Sequence, residues 1–194
     1  AILRSVISSG RIKAADITVY DINTDKYPAF AELGVNCADT MDEAVNASEV
    51  ILLAVKPQDY ETVLNGIKTM TAGKKKVFIS IAAAISTAYI CQTLAADLPV
   101  VRVMPNTPLL IGCGATAISR NSAVDDKLYT KICGLFAASG SVVSLPEEQM
   151  NAVISVNSSS PAYVYLFAKA MIDNAVAQGI DHAVAKDLVF QTLK

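Results

Sequence analysis

The sequence predicts an α/β fold in which a doubly wound, parallel sheet is followed by an all-helical segment. Short apolar runs of strand length alternate with longer helical patterns up to about Pro146, and this alternation is typical of β-α-β units. From about Glu147 onward the strand signals stop and only helical patterns remain. We therefore expect two domains, covering residues 1–146 and 147–194.

The elements of the first third follow from apolar spacing and from glycine stops. The patterns predict a helix over 1–10, a strand over 16–21, a helix over 25–33, a short helix over 41–47 and a strand over 50–55. Gly10 and Gly34 lie where the first two helices should stop. The run over 50–55 is apolar throughout, which favours a strand covered on both faces.

The rest of the chain shows the same alternation of helical and strand-length apolar patterns. It predicts a helix over 60–70, a strand over 77–81, a helix over 87–95, strands over 100–104 and 114–119, a helix over 125–137 and a strand over 141–145. A long apolar helix over 162–178 should then stop at Gly179, and another helix should begin near His182.

Composition excludes several classes of function. The chain has 194 residues, of which 53% are hydrophobic and 18% charged, the opposite of a disordered composition. Its net charge is −2 and its basic residues cluster only at Lys74–Lys76, so we expect no nucleic-acid partner. No apolar run approaches the roughly 20 residues of a membrane span, so we expect no membrane partner.

Metal and disulfide chemistry are also not expected. The sequence contains one histidine, His182, which excludes a histidine-rich metal site. The cysteines are Cys37, Cys91, Cys113 and Cys133, spaced too widely for zinc ligand pairs or a redox C-x-x-C motif. We interpret them as free thiols and expect a cytoplasmic protein.

Asp21 ends the first predicted strand. In dinucleotide-binding folds an acidic residue at such a position accepts hydrogen bonds from the adenosine ribose. The residues D-I-N at 21–23 are also common turn chemistry, and on the residues alone an ordinary turn aspartate is the favoured interpretation. No G-x-G-x-x-G motif occurs in the sequence.

Two further motifs follow predicted strands, where open α/β sheets bind ligands. The first is A-V-K-P-Q at 54–58, whose small residues would let a cofactor approach the backbone, or which is merely a strand stop before a proline-initiated helix. The second is S-I-A-A-A at 80–84, which leaves room for a flat ring but is also an ordinary alanine-rich helix start.

The last two motifs combine proline with neutral polar residues. In R-V-M-P-N-T-P at 102–108 two prolines fix a loop that presents Asn106 and Thr107, although a structural turn would have the same residues. In N-S-S-S-P-A-Y at 157–163 the serines precede Pro161 and predict a helix N-cap, either as simple capping or as an anion site.

Taken together, in this order and spacing, these motifs resemble the pyrroline-5-carboxylate reductase family of proline biosynthesis. The resemblance rests on A-V-K-P-Q at 54–58, S-I-A-A-A-I-S at 80–86, R-V-M-P-N-T-P at 102–108 and S-S-S-P-A-Y at 158–163. It spans nearly the whole chain. It implies a Rossmann-type domain followed by an all-helical dimerisation domain, and a homodimer or a higher homo-oligomer built on dimers.

The resemblance implies an oxidoreductase that reduces the small-molecule substrate 1-pyrroline-5-carboxylate to L-proline with NADPH or NADH. Asn106 would lie near the nicotinamide and Ser159 near the substrate, whereas no catalytic residue is assigned. The cofactor-binding residues would be Asp21, Ala54, Val55, Lys56, Pro57, Ala82, Ala83 and Asn106.

The sequence departs from the family pattern at several points. The family's glycine-rich loop would precede Ala1, and its S-S-P-G-G-T segment, which holds the substrate carboxylate, would follow Lys194. The sequence is therefore expected to lack both chain ends. Within the chain, S-S-S at 158–160 replaces the common G-S-G, Ala84 replaces a frequent glycine, and Met41 stands where some relatives carry a cofactor-contacting asparagine.

The expected chemistry is direct hydride transfer to the imine carbon, with a substrate nitrogen that arrives protonated and needs no strong catalytic acid. Glu147 and Glu148 are expected to be solvated rather than a catalytic dyad. One alternative is a β-hydroxyacid-dehydrogenase-like reductase, for which Lys169 would be the candidate lysine, although it is better explained as an exposed helix position. The other is a non-catalytic dinucleotide-binding paralogue.

Overall fold

The structure is a computed structural model that describes residues 2–194. Its helices are α1 (Ile2–Ser8), α2 (Tyr27–Ala31), α3 (Met41–Ala47), α4 (Tyr60–Thr71), α5 (Thr87–Leu94), α6 (Asp126–Ala137), α7 (Ser160–Ala177) and α8 (His182–Leu193). Its strands are β1 (Thr18–Val19), β2 (Asn36–Cys37), β3 (Val50–Leu53), β4 (Val77–Ser80), β5 (Val100–Met104), β6 (Gly114–Arg120) and β7 (Gly140–Ser144). The predicted α/β class with a following helical segment is confirmed.

The main sheet has five strands in the order β3-β4-β5-β6-β7. Neighbouring strands are parallel except β5 and β6, which are antiparallel, so the expectation of a parallel sheet is wrong at this pair. The loop at 105–113 between them is shorter than the roughly dozen residues that a parallel crossover needs. The chain therefore turns back directly, and the sheet is mixed.

Both faces of the main sheet are covered at β4, near its centre. Phe78 and Ile79 are neighbours on β4 and are both buried, yet they point into different hydrophobic clusters. Phe78 packs with residues of α4 and α5, including Leu64 and Ile90. Ile79 packs with residues of α6, including Phe136, and this second cluster also receives Ile2 of α1.

The strand β3 differs from its prediction. It spans Val50–Leu53 rather than 50–55, and Val50 and Leu52 are 43% and 39% exposed. Within the described chain β3 pairs only with β4, so it lies at an edge of the main sheet. An apolar run of strand length gives no information on the strand's place in the sheet, and the expectation of a strand covered on both faces is wrong.

A second sheet contains only β1 and β2, which pair in parallel through Thr18↔Asn36 and Val19↔Cys37. The predicted strand over 16–21 is reduced to Thr18–Val19, because Ala14–Asp16 form a 3₁₀ turn. The sequence did not predict β2, since two residues show no alternation. The predicted helix over 25–33 is split into a 3₁₀ turn and the short α2.

The chain ends in the helix pair α7 and α8. They pack through small and branched residues: Ala168 and Ile172 on α7, with Ala185 and Val189 on α8. A π-helical turn at Ile154–Ser158 leads directly into α7. None of the helices at 2–194 is both long and apolar enough to cross a membrane.

Candidate functional site

The carboxyl ends of β3, β4 and β5 lie side by side. The three strands are parallel neighbours, with Leu53 opposite Ser80 and Ser80 opposite Arg102. The segments that follow these three strands therefore lie together at the carboxyl-terminal end of the sheet, which is called the sheet edge below. These segments contain most of the predicted cofactor-binding residues, namely Ala54, Val55, Lys56, Pro57, Ala82, Ala83 and Asn106.

A buried tyrosine joins two of these strand ends. Tyr60, the first residue of α4, is 1% exposed, and its hydroxyl donates to the carbonyl of Leu53 at 3.0 Å. The Ser80 hydroxyl oxygen lies 2.8 Å from the hydroxyl oxygen of Tyr60. Burial raises the pKa of Tyr60 although the hydrogen bond with Ser80 opposes the shift, so the hydroxyl stays protonated. Tyr60 and Ser80 thus fix the segments at 54–57 and 82–83 relative to each other.

The alanine segment after β4 is compact and partly strained. Ala82 is 4% exposed and packs in the same cluster as Tyr60. Ala84 has φ 63°, in the left-handed region that favours glycine. The segment therefore runs from the buried Ala82 through the half-buried Ala83 to the exposed Ala84.

Asn106 is held by two hydrogen bonds to the protein. Its Oδ1 accepts from the backbone amide of Ala115 at 2.9 Å. Its Nδ2 donates to the backbone carbonyl of Asn157 at 3.1 Å. One amide hydrogen of Asn106 is not used in these bonds. The side chain of Asn106 is therefore fixed between the start of β6 and the π-helical turn at Ile154–Ser158.

Ser159 lies next to this loop but does not cap a helix. It has helical backbone angles, φ −85° and ψ −29°, and its side chain makes no capping hydrogen bond. The predicted N-cap is wrong because the π-helical turn at Ile154–Ser158 already supplies the preceding helical residues. The neighbouring Ser160 hydroxyl instead donates to the carbonyl of Val156 at 2.6 Å.

A buried arginine connects the sheet with the start of the helical segment. Arg102 is 2% exposed, and its Nη2 donates to Oδ1 of Asn151 at 2.7 Å. Its Nη1 lies 3.9 Å from Oε1 of Glu147. Burial lowers the pKa of Arg102, and the Glu147 carboxylate opposes this shift.

The sequence predicted a solvated Glu147, but its carboxylate is bonded to the protein. The same carboxylate accepts from the backbone amide of Thr87 at 2.7 Å and from the Thr87 hydroxyl. It therefore joins the first turn of α5 to the beginning of the helical segment. Glu148 is exposed, as expected.

Asp21 lies two residues after β1, the strand that pairs with β2 in the two-stranded sheet. Its Oδ2 accepts from Nζ of Lys26 at 2.7 Å, and its Oδ1 accepts from the amide of Asn23 at 2.9 Å. Although partial burial opposes it, these two bonds hold the pKa of Asp21 below its usual value. In its local geometry Asp21 is therefore a turn aspartate that forms an ion pair with Lys26.

The sheet edge presents neutral groups. Its segments contribute alanine, proline and asparagine side chains, apart from Lys56, which is exposed. Across residues 2–194 no three His, Cys, Asp or Glu side chains are grouped so that they could hold a metal ion. Lys169 is exposed on α7 and pairs with Asp173 at 2.5 Å, one helical turn away. The neutral side chains here are compatible with a flat, uncharged ring at the sheet edge.

Two family models match the chain. Residues 147–194 match the model described as pyrroline-5-carboxylate reductase dimerisation. Residues 1–84 match the model described as NADP oxidoreductase, coenzyme F420-dependent. The matches correspond to a Rossmann-type dinucleotide-binding domain followed by a helical dimerisation domain.

Curated relatives and solved structures agree with these models. The chain is 33% identical to a pyrroline-5-carboxylate reductase of Mycobacterium tuberculosis, over all of this chain and 67% of that protein. It is 33% identical to a pyrroline-5-carboxylate reductase of Escherichia coli, over all of this chain and 72% of that protein. A crystal structure of a Plasmodium falciparum pyrroline carboxylate reductase with NADP bound has a TM-score of 0.87 at 27% identity, covering 99% of this chain and 70% of that one. The resemblance carried by the sequence motifs is confirmed, and the chain belongs to the pyrroline-5-carboxylate reductase family.

Proposed function

We propose that this protein reduces 1-pyrroline-5-carboxylate to L-proline with NADPH or NADH. The observation that carries the proposal is the sheet edge where β3, β4 and β5 end, together with the P-N-T-P loop, whose Asn106 is bonded to the π-helical turn that precedes Ser159. Family membership names the reaction, and this edge supplies a place for it.

The residues at the edge fit a nicotinamide dinucleotide. Ala83 is half-buried and Ala84 is exposed, so a flat ring could lie against the small side chains after β4, and Tyr60 holds the segment at 54–57 beside them. We assign Asp21, Ala54, Val55, Lys56, Pro57, Ala82, Ala83 and Asn106 to cofactor binding. When bound, the dinucleotide supplies the hydride that reduces the imine carbon.

One residue of the serine motif is assigned to the substrate side of the site. Ser159 is assigned to the substrate side, because the hydrogen bond between Asn106 and Asn157 places its turn against the loop. A cyclic imine can arrive protonated, so the lack of a histidine or paired carboxylates at this edge is compatible with the reaction. No residue is assigned as a catalytic acid.

We infer that the protein functions as a homodimer or a higher homo-oligomer built on dimers. The helical domain at 147–194 has exposed apolar side chains on α7, among them Leu166 and Phe167 at 67% and 57% exposure. Burying them against a second copy would remove apolar surface from water. The dinucleotide-binding domain would be residues 1–146, and the free thiols favour the cytoplasm.

The test is turnover by the full-length protein. Purified protein should oxidise NADPH or NADH when 1-pyrroline-5-carboxylate is added, and L-proline should accumulate. Oxidation with the keto partner of a β-hydroxyacid but not with the imine would favour the β-hydroxyacid-dehydrogenase alternative. Dinucleotide binding without any turnover would favour a non-catalytic paralogue.

A further inference from the structure

We propose that Asn157 is a positioning residue that holds the substrate side of the site against the cofactor side. Asn157 is the first residue of the N-S-S-S-P-A-Y motif, and the sequence alone indicates no role for it. The proposal rests on the proposed function for the assignment of Asn106 and Ser159, whereas the contacts of Asn157 stand on the structure.

Asn157 uses both amide hydrogens on the sheet. Its Nδ2 donates to the carbonyl of Met104 at 2.8 Å and to the carbonyl of Ala115 at 2.9 Å. Met104 ends β5 and Ala115 belongs to the start of β6, so one side chain spans the two antiparallel strands at the mouth of the P-N-T-P loop. Its Oδ1 accepts from the Ser158 hydroxyl at 3.1 Å.

The Asn157 backbone closes the connection. Its carbonyl accepts from Nδ2 of Asn106 at 3.1 Å, while Oδ1 of Asn106 accepts from the amide of Ala115 at 2.9 Å. The two asparagines therefore satisfy both the amide and the carbonyl of Ala115. The result is a closed ring of hydrogen bonds through Asn106, Ala115 and Asn157.

The local helix geometry places this amide inward. Asn157 is 9% exposed, whereas the preceding Val156 is 72% exposed. Both belong to the π-helical turn at Ile154–Ser158, and such turns are frequent at functional sites. Because Ser159 follows the turn directly, its position relative to Asn106 depends on how the Asn157 amide is held.

A matched control exists at the other end of the same strands. Asn121 also bonds two backbone groups, donating to the carbonyl of Leu98 at 2.8 Å and accepting from the amide of Val100 at 3.1 Å. Val100 is the first residue of β5, so Asn121 lies at the opposite end of that strand from Met104. Removing the Asn121 side chain loses two hydrogen bonds to the backbone, as removing the Asn157 side chain does, but it leaves the P-N-T-P loop unchanged.

The experiment compares Asn157→Ala and Asn121→Ala in the full-length protein, assayed well below both melting temperatures. Both variants should melt at lower temperature than the native protein. Only Asn157→Ala should raise KM for 1-pyrroline-5-carboxylate, by at least about tenfold, with a smaller change in dinucleotide Kd. Asn157→Ser, which keeps one hydroxyl donor, should recover part of the loss and is the second variant if the alanine variant does not fold.

Native KM and kcat in Asn157→Ala, or in Asn157→Ser if the alanine variant does not fold, would overturn the proposal, as would an equal kinetic loss in Asn121→Ala. If the native protein does not reduce the imine, the proposed function is wrong. The positioning role of Asn157 is then tested by amide hydrogen exchange. Exchange at 158–162 should then be faster in the Asn157 variant that folds than in Asn121→Ala. Equal exchange in these two variants would overturn the positioning role.

Discussion

The ion pair of Asp21 bears on whether the protein prefers NADPH or NADH. The Asp21 carboxylate faces the ammonium of Lys26 at 2.7 Å, so a dianionic 2′-phosphate near this strand end would meet a neutralised pair rather than a lone negative charge. A ribose 2′-hydroxyl could still donate to the carboxylate. The two residues are thus expected to pull cofactor preference in opposite directions.

We expect Asp21→Ser to raise the ratio of kcat/KM with NADPH to that with NADH, and Lys26→Ala to lower it. Each change should reach about tenfold, which corresponds to about 1.4 kcal/mol. The measurement is initial-rate kinetics with both cofactors on the native protein and both variants. Unchanged ratios would leave Asp21 as an ordinary turn residue.

Ala84 offers a stability test at one backbone position. Its φ of 63° lies in the left-handed region, which costs an alanine about 1–2 kcal/mol. Glycine removes this strain but gains freedom in the unfolded chain, about 0.4–1 kcal/mol. Ala84→Gly should therefore raise the free energy of unfolding by up to about 1 kcal/mol, seen as a melting point about 2–4 °C higher.

The neighbouring Ala83→Gly is the control, because Ala83 is not among the residues with positive φ. There the substitution adds unfolded-state freedom and removes a methyl group that packs beside Met104 and Met150, so it should lower the melting temperature. Equal shifts for the two variants would contradict the assignment of strain to Ala84.

Among the elements, the junction between β5 and the turn at Glu147–Gln149 depends on charge. Glu147 lies near the buried Arg102 and accepts two hydrogen bonds from Thr87. Glu147→Gln keeps the shape but removes the charge and one acceptor. We expect it to lower the free energy of unfolding by about 1–3 kcal/mol.

The measurement is the urea midpoint at constant m-value. Glu148→Gln is the matched control, because Glu148 is exposed and its change should stay within about 0.5 kcal/mol. If both variants unfold at the same urea concentration, the junction does not depend on the Glu147 carboxylate.

The elements also show which patterns the sequence could reveal. Long helices such as α4 and α8 were predicted within a few residues, since their apolar spacing repeats over several turns. The strand β2 was missed because Asn36 and Cys37 are too few to alternate. The antiparallel pairing of β5 and β6 and the exposure of β3 were missed because strand order is set by tertiary packing.

In the whole molecule, the exposed apolar side chains of α7 predict self-association. We expect the native protein to sediment as a dimer or a larger species at micromolar concentration. Leu166→Glu should shift it towards monomer, because a carboxylate would have to be buried in the interface. Ile22→Glu is the control, since Ile22 is 91% exposed near β1 and should not affect assembly. If the native protein sedimented as a monomer, this would contradict the proposed homo-oligomer.

The site as a whole was only partly predictable. The motifs after β3, β4 and β5 located the sheet edge, because parallel strands end together and prolines mark the loops. The contacts of Tyr60, Arg102 and Asn157 were not visible, since each joins segments far apart in sequence. Predicting them would require knowledge of which strand ends meet which helical turns.

The π-helical turn at Ile154–Ser158 also sets the rotational phase of α7. Each residue of an α-helix advances the side chains by about 100° around the axis, and a π turn holds one residue more than an α turn. Deleting one residue here would turn α7 relative to the sheet and move Leu166 and Phe167 to another side of the protein. The length of this turn thus links the geometry at Asn157 to the directions in which Leu166 and Phe167 point, and the protein should tolerate side-chain replacement at Val156 far better than its removal.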